Sequence, residues 1–333
     1  MSSLKHNYQT DSPVLILLFN RPEETLRLIQ SLQSVRPNKV YVSIDGPREH
    51  NEDDNERVRK VKKIIKDNIN WTSEIYINTL KKNYGCGDGP REGINWFFKN
   101  EKYGIILEDD CIPGESFFRF CDSLLSKYAD DKKIWVISGD NGGPIISAKH
   151  FEESDFLFTR IPLIWGWATW RDRWIKYDED LELWKKGVLK NYYKLNHVKF
   201  FEKFIVSRVS KLASKAENKN FWDFQLYSTM LQNQGYGIIP KNNLISNIGW
   251  GDLATHTKKE NNRSFSNIVE EELILETKEI SSSKRINSLI TYNVHTNVTD
   301  RYINTENLSL LRVGYIVSRA TYYIKYLFNV ISK

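Results

Sequence analysis

Gly104-Ile105-Ile106-Leu107-Glu108-Asp109-Asp110-Cys111-Ile112-Pro113 is the stretch on which the fold of this chain turns. Gly104 to Leu107 is mostly apolar and holds two β-branched residues, the pattern of a buried strand end. Three consecutive carboxylates stop the run, and a Pro113-Gly114 turn follows. Neighbouring carboxylates repel one another, so such a cluster is stabilised by a cation. Open α/β sheets bind ligands at the carboxyl ends of their strands, where this cluster would sit. A hard divalent ion shared between one or two carboxylates and a diphosphate meets both conditions. The competing reading is a solvated acidic loop or helix start, and the stretch alone does not separate the two.

Working outward, Pro13 to Phe19 reads as a buried first strand closed by Asn20-Arg21-Pro22. Glu23 to Val35 carries Leu26, Ile29, Leu32 and Val35 at helical spacing. Lys39 to Ile44 is a second strand ending in Asp45-Gly46-Pro47; Val58 to Ile69 is helical and Glu74 to Asn78 a third strand. Asn83 to Arg91 is Gly-rich and reads as a loop, with a helix from Glu92 to Asn100. That loop invites a phosphate-binding reading as well as a plain connecting one, but it matches neither the P-loop nor the dinucleotide fingerprint, so nothing in it supports an ATPase or a dehydrogenase. Phe117 to Tyr128 is helical, and Trp135 to Ser138 is a strand ending in Gly139-Asp140-Asn141-Gly142-Gly143. Strands alternating with helices predict an α/β protein, a mostly parallel sheet flanked by helices. Arg21, Asp45, Glu108 to Asp110 and Asp140 then sit at strand ends and are expected to line one crevice.

The chain has 333 residues and a mild net charge of +6, and no nucleic-acid motif accompanies its basic residues. Its densest basic run, Arg57 to Lys66, reads as the wet side of an amphipathic helix. No nucleic-acid partner is expected. Cys86, Cys111 and Cys121 show neither metal-ligand spacing nor a disulfide framework, which fits a reducing compartment. Met1 to Ser12 lacks the apolar core of a signal peptide, and no apolar stretch approaches the ~18–20 residues that span a bilayer. The expected location is cytoplasmic.

Beyond Phe158 the alternation weakens. Trp167, Trp170 and Trp174 share one helical face and read as core, whereas Trp165, before Gly166, is expected in a pocket. Lys185 to Lys219 is basic and helical, Gly235 to Pro240 a short strand, and Ser246 to Thr257 a Gly-containing loop holding His256. Phe221-Trp222-Asp223-Phe224 sets one carboxylate among three aromatics. Reduced solvation would raise its pKa and suit a general base. Asp is equally a good N-cap for a helix from Phe224 to Gln232.

Seven segments, in this order, resemble N-acetylglucosaminyltransferase I and its relatives. They are Pro13-Val14-Leu15-Ile16 with Arg21, Val42 to Asp45, Leu107 to Asp110, Ile137 to Gly142, Gly166-Trp167, Phe221-Trp222-Asp223 and Thr255-His256. That family consists of inverting, metal-dependent glycosyltransferases of the GT-A fold, and the resemblance covers about Pro13 to His256. It implies that Asp110 coordinates Mn²⁺ (or Mg²⁺), that Glu108 bonds the donor sugar and that Asp109 lies near the ribose. It further implies that Arg21 and Asp45 hold the nucleotide, with Asp45 at the uracil. Asp223 becomes the catalytic base, Trp222 the aromatic beside the sugar, and the Thr255-His256 loop a segment over the bound donor. Asp45-Gly46-Pro47 departs from the family's Asp-Cys, and Trp-Ala-Thr-Trp replaces an aliphatic run near the sugar pocket. The resemblance implies a UDP-sugar donor, with UDP-GlcNAc favoured, and a glycan or lipid-linked acceptor in surface polysaccharide assembly.

The implied organisation is a GT-A domain over 1–257, with a nucleotide-binding half at 13–145 and an acceptor half at 146–257. A C-terminal extension over 258–333 follows. Within it, 308–333 interleaves aliphatic and aromatic residues with Arg312, Arg319, Lys325 and Lys333, a helix suited either to an anionic membrane surface or to packing on the protein. The rival functions are a sugar-nucleotide nucleotidyltransferase and a catalytically silent carbohydrate-binding protein. The first normally carries a Gly-rich basic loop near its N-terminus, which Asn20-Arg21-Pro22 is not; Asp110 and Asp223 count against the second.

Overall fold

The computed structural model describes residues 8–142, 151, 154–182, 222–249, 268, 273–275, 287 and 290. From the N-terminal side the elements are β1 (Val14–Leu18), α1 (Pro22–Leu32), β2 (Lys39–Ile44), α2 (Glu52–Asn68), β3 (Glu74–Thr79), α3 (Gly85–Asn100) and β4 (Tyr103–Glu108). They continue as β5 (Cys111–Pro113), α4 (Glu115–Lys127), β6 (Ile134–Ser138), β7 (Phe156–Thr159), β8 (Trp167–Trp170) and the single turn α5 (Arg171–Trp174). The last described are α6 (Asp223–Gln232), β9 (Tyr236–Pro240) and β10 (Ile245–Asn247).

Eight strands form one sheet in the order β3-β2-β1-β4-β8-β6-β9-β7. β1 pairs in parallel with β2 and β4, β2 with β3, and β6 with β9. β8 runs antiparallel to both neighbours, so β4 and β6 point the same way and the sheet is mostly parallel. Both faces are covered. Val14, Ile16 and Leu107 pack with Leu28, Ile29, Val58, Phe117 and Phe120 under α1, α2 and α4. Leu15, Leu17 and Ile106 pack with Ile94, Phe97, Phe224 and Leu226 under α3 and α6. This is the doubly covered α/β architecture expected from the alternation, and β7, β8 and β9 complete the same sheet. Chain order reverses between β1 and β4: the chain leaves β1 toward β2 and β3, then returns to the other side. The carboxyl ends of β1 and β4 therefore flank a topological switch point.

Three local expectations are corrected. The segment Asn83 to Arg91 is not a loop throughout, because α3 already begins at Gly85. Two glycines of α3 serve close packing. A Cβ at Gly93 would lie 2.6 Å from Leu17 and 2.8 Å from the Ser43 hydroxyl, and one at Gly89 3.0 Å from the Asp45 carboxylate. Second, Trp167 and Trp170 belong to strand β8, and only Trp174 lies in the helical turn that follows. Both are buried as expected, but on opposite faces of the sheet, as strand alternation requires. Third, α2 starts at Glu52 rather than Val58, its polar first turn capped by Asn51, whose side chain accepts from the Asp54 N–H. The segments 185–219 and 308–333 and His256 lie outside the described residues. Among the described residues no helix is long and apolar enough to cross a membrane.

Candidate functional site

The site forms where β1 and β4 end. The short strand β5 turns back immediately after Asp110 and pairs antiparallel with β10, Asn247 opposite Cys111 and Ile245 opposite Pro113. That ribbon clamps the acidic turn between the β1–α1 loop and the residues after β10. Arg21, the N-cap residue of α1, reaches across the switch point. Its Nη1 donates to Asp109 Oδ1 at 3.1 Å and to Asp110 Oδ2 at 3.1 Å. The cation demanded by adjacent carboxylates is thus supplied in part by this guanidinium. Burial works against the Arg21 charge, but Asp109 and Asp110 outweigh it and push the guanidinium pKa up.

Asp110 is the most closely held of the three carboxylates. Besides Arg21 it accepts from Asn247 Nδ2 at 3.2 Å, and its carbonyl accepts from the Ile248 N–H at 2.8 Å. Gly249 lies so close that a Cβ there would sit 1.8 Å from Asp110 Oδ2. The Gly249 N–H in turn donates to Asn247 Oδ1 at 2.9 Å. Sequence reasoning passed over Asn247 and Gly249. The signal available was an Asn and a Gly within the Ser246–Thr257 loop, and nothing local tied them to Asp110.

Strand alternation aims Glu108 to the other side, with Ile106, toward α3 and α6. Burial and the like charges of Asp110, Asp109 and Asp223 push the Glu108 carboxyl up to about 8. Burial likewise raises Asp109, to about 7, against the pull of Arg21. Cys86, in the first turn of α3, faces the same charges: burial raises its thiol, and Glu108, Asp223 and Asp45 add to the rise. The charges of Glu108 and Asp223 thus bear on Cys86, and that of Asp223 on Glu108. Cys86 was not singled out for the site from sequence.

Asp223 opens α6 as its first residue, while Trp222 is the N-cap. Its carboxylate is exposed, so the expected reduced solvation among aromatics is not found; Trp222 and Phe224 are buried away from it. Asp223 Oδ1 accepts from the Phe224 N–H at 2.9 Å. Trp222 stacks on Trp167 at a ring separation of 5.7 Å and meets Trp174 edge-on at 6.4 Å, inside the core. Trp165 is partly buried against the core under α1, α2 and α4. It precedes Gly166, whose φ of 60° is left-handed and where a Cβ would strike Ile245 at 2.4 Å. The Trp165–Gly166 turn is thereby seated beside β10 and the end of β4.

Asp45, at the end of β2, is buried and accepts from four donors: Gly46 N at 2.9 Å, Tyr84 N at 2.9 Å, Gly85 N at 3.0 Å and Asn83 Nδ2 at 3.1 Å. Burial nonetheless pushes its pKa up. In this structure the carboxylate caps α3 from a distant strand. Asp140, also expected at the crevice, is buried and accepts from the Gly142 N–H at 2.8 Å.

Among the described residues no group of three or more His, Cys, Asp or Glu side chains is arranged to hold a metal ion. The residues present do not build an all-protein cage. Asp110, partly exposed, fits a hard ion as a single ligand, with most of the ion's other ligands coming from a diphosphate and water.

No family model matches the chain, and no curated protein matches it. A solved structure that it resembles is HddC from Yersinia pseudotuberculosis complexed with GMP-PN, at 10% identity and a TM-score of 0.29, covering 49% of this chain and 78% of that one.

Proposed function

We propose that this protein is a metal-dependent inverting glycosyltransferase of the GT-A type, using a nucleotide-diphosphate sugar, UDP-GlcNAc favoured, and a glycan or lipid-linked acceptor. The observation that supports this reading is the meeting of Arg21 with Asp109 and Asp110 at the switch point between β1 and β4. Asp223 opens α6, and its charge adds to the rise of the Glu108 carboxyl. Ligands of open α/β sheets bind at such a point, and a guanidinium there suits the oxygens of a diphosphate. Mn²⁺ or Mg²⁺, when held by Asp110, would neutralise charge on the leaving diphosphate.

The chain's own residues have separable roles in this reading. Arg21 orients the acidic turn and faces the diphosphate. Glu108, a carboxylate beside the proposed metal ligand, is suited to accept a hydrogen bond from a sugar hydroxyl. Asp223, exposed to an incoming acceptor, takes the proton of the attacking hydroxyl. One in-line displacement inverts the anomeric configuration. The expected location is cytoplasmic, with the 308–333 segment as a contact for an anionic membrane surface.

The decisive measurement is a thermal-shift screen of nucleotide-sugars with and without Mn²⁺, followed by transfer assays. A ligand that binds only the folded state raises the melting temperature. UDP-GlcNAc should do so more strongly with Mn²⁺ present, and Asp110→Ala should remove the metal-dependent part. Asp223→Asn should keep donor binding yet lower turnover by about 10²–10⁴-fold. If no nucleotide-sugar shifts the melting temperature under either condition, the proposal fails.

A further inference from the structure

The eight-stranded sheet ends in two very different edges. β7 has four residues, and its Phe156 and Phe158 are buried. β3 has six residues in unbroken parallel register with β2, and every one of them except Asn78 is exposed. Ile75, Tyr76 and Ile77 are 41%, 39% and 54% exposed. Natural edge strands are normally blunted by Lys, Pro or a bulge within the strand, and β3 carries none of these.

The backbone orientation follows from two hydrogen bonds. Glu74 N donates to Asn38 O at 2.8 Å and Leu80 N to Ile44 O at 2.9 Å. In a parallel ladder a residue's N–H and C=O point to the same side and alternate along the strand. Glu74, Tyr76 and Asn78 therefore face β2, while Ile75, Ile77 and Thr79 turn their N–H and C=O groups outward. Among the described residues nothing pairs with this edge, which offers a complete, apolar-flanked template for another strand. The charges at its ends say which strand fits. Glu74 opens β3, and Lys81 and Lys82 follow it. Antiparallel pairing of β3 with itself sets the acidic start of each copy against the basic finish of the other. It also pairs outward residues with outward residues, Ile75 opposite Thr79 and Ile77 opposite its own equivalent. Parallel pairing would put like charges together.

We propose that the open edge of β3 is a two-fold interface between two copies of this chain, joining their sheets antiparallel through Ile75, Ile77 and Thr79. The proposal does not depend on the glycosyltransferase reading. The test is sedimentation velocity of the full chain over a wide dilution series. The wild type should be a dimer that dissociates on dilution. Ile77→Lys, which puts like charges face to face at the centre of the pairing, should be monomeric, with the melting temperature of wild type diluted to its monomer. Glu74→Lys, at an exposed site, should weaken the dimer, and the further changes Lys81→Glu and Lys82→Glu should restore it. This charge swap decides the matter should Ile77→Lys fold poorly. A wild type that stays monomeric at the highest concentration overturns the proposal. A dimer untouched by either Glu74→Lys or Ile77→Lys overturns it as well.

Discussion

Asp110 shows how narrowly one side chain can be set. Arg21 and Asn247 hold its two oxygens, and the missing side chain of Gly249 leaves the room it occupies. Any Cβ at Gly249 meets the carboxylate well inside van der Waals contact, so the Asp110 side chain must rotate and give up one of these bonds. Overpacking of this kind costs about 1–3 kcal/mol. Gly249→Ala should therefore lower the melting temperature modestly and weaken Mn²⁺-dependent donor binding by about tenfold, which is ~1.4 kcal/mol. The effect should be absent in an Asp110→Ala background, because neighbours that share one contact do not add. Ligand-dependent thermal shifts on the two single variants and the double variant measure this, and independent, additive losses would refute the coupling.

Asp54 works at the scale of the element. It lies in the first turn of α2 and is 1% exposed, yet it accepts from Arg48 Nε at 2.6 Å, Arg48 Nη2 at 2.9 Å and Asn20 Nδ2 at 2.6 Å. It thereby ties the loop after β1, which carries Arg21, to the loop after β2 and to the start of α2. The Arg48 bonds pull its carboxyl down to about 2, with Asn20 adding to the effect and burial opposing it. A carboxylate whose folded pKa lies below its unfolded value stabilises the fold above the unfolded value. That contribution is lost as pH falls through the folded one. The contribution is up to about 2 kcal/mol, trimmed because Arg48 is half exposed to solvent screening. The midpoint of urea unfolding should fall between about pH 4 and pH 2, and Asp54→Asn should flatten that part of the profile. An Asp54→Asn profile parallel to wild type would show that Asp54 does not carry this dependence.

At the scale of the whole molecule, stability is layered across the sheet. Val14, Leu15, Ile16, Val40, Val42, Ile105 and Ile106 have no exposed surface, so β1, β2 and β4 are buried under helices on both faces. Amides in such strands open only with global unfolding, whereas an open edge exchanges through local fluctuation. Native-state hydrogen exchange should place the slowest amides in β1, β2 and β4. The outward amides of Ile75, Ile77 and Thr79 should exchange fast in dilute solution. Uniform protection across β1 to β3 under dilute conditions would contradict this layering.

The sequence by itself determined the elements whose information is local. Lys39–Ile44 is found with the predicted limits, and β1, β3, β4, β6, α1 and α4 lie within a few residues of theirs. An apolar run, a helical stripe or an acidic stop is written in consecutive residues and survives into the folded chain. The same locality placed Glu108, Asp109 and Asp110 at a strand end, with Arg21 and Asp45 at the ends of two neighbouring strands. Tertiary structure decided the rest, because the causes lie far apart along the chain. Gly85 to Arg91 is helical since the Asp45 carboxylate caps it from β2 and Gly89 leaves room for that carboxylate. Trp167 to Trp170 is a strand since β4 and β6 leave a ladder to fill between them. Asn247 and Gly249 reach Asp110 only through the pairing of β10 with β5. Whether a carboxylate meets a guanidinium, a helix end or water is set by what the fold brings beside it, and no spacing within a single segment encodes that.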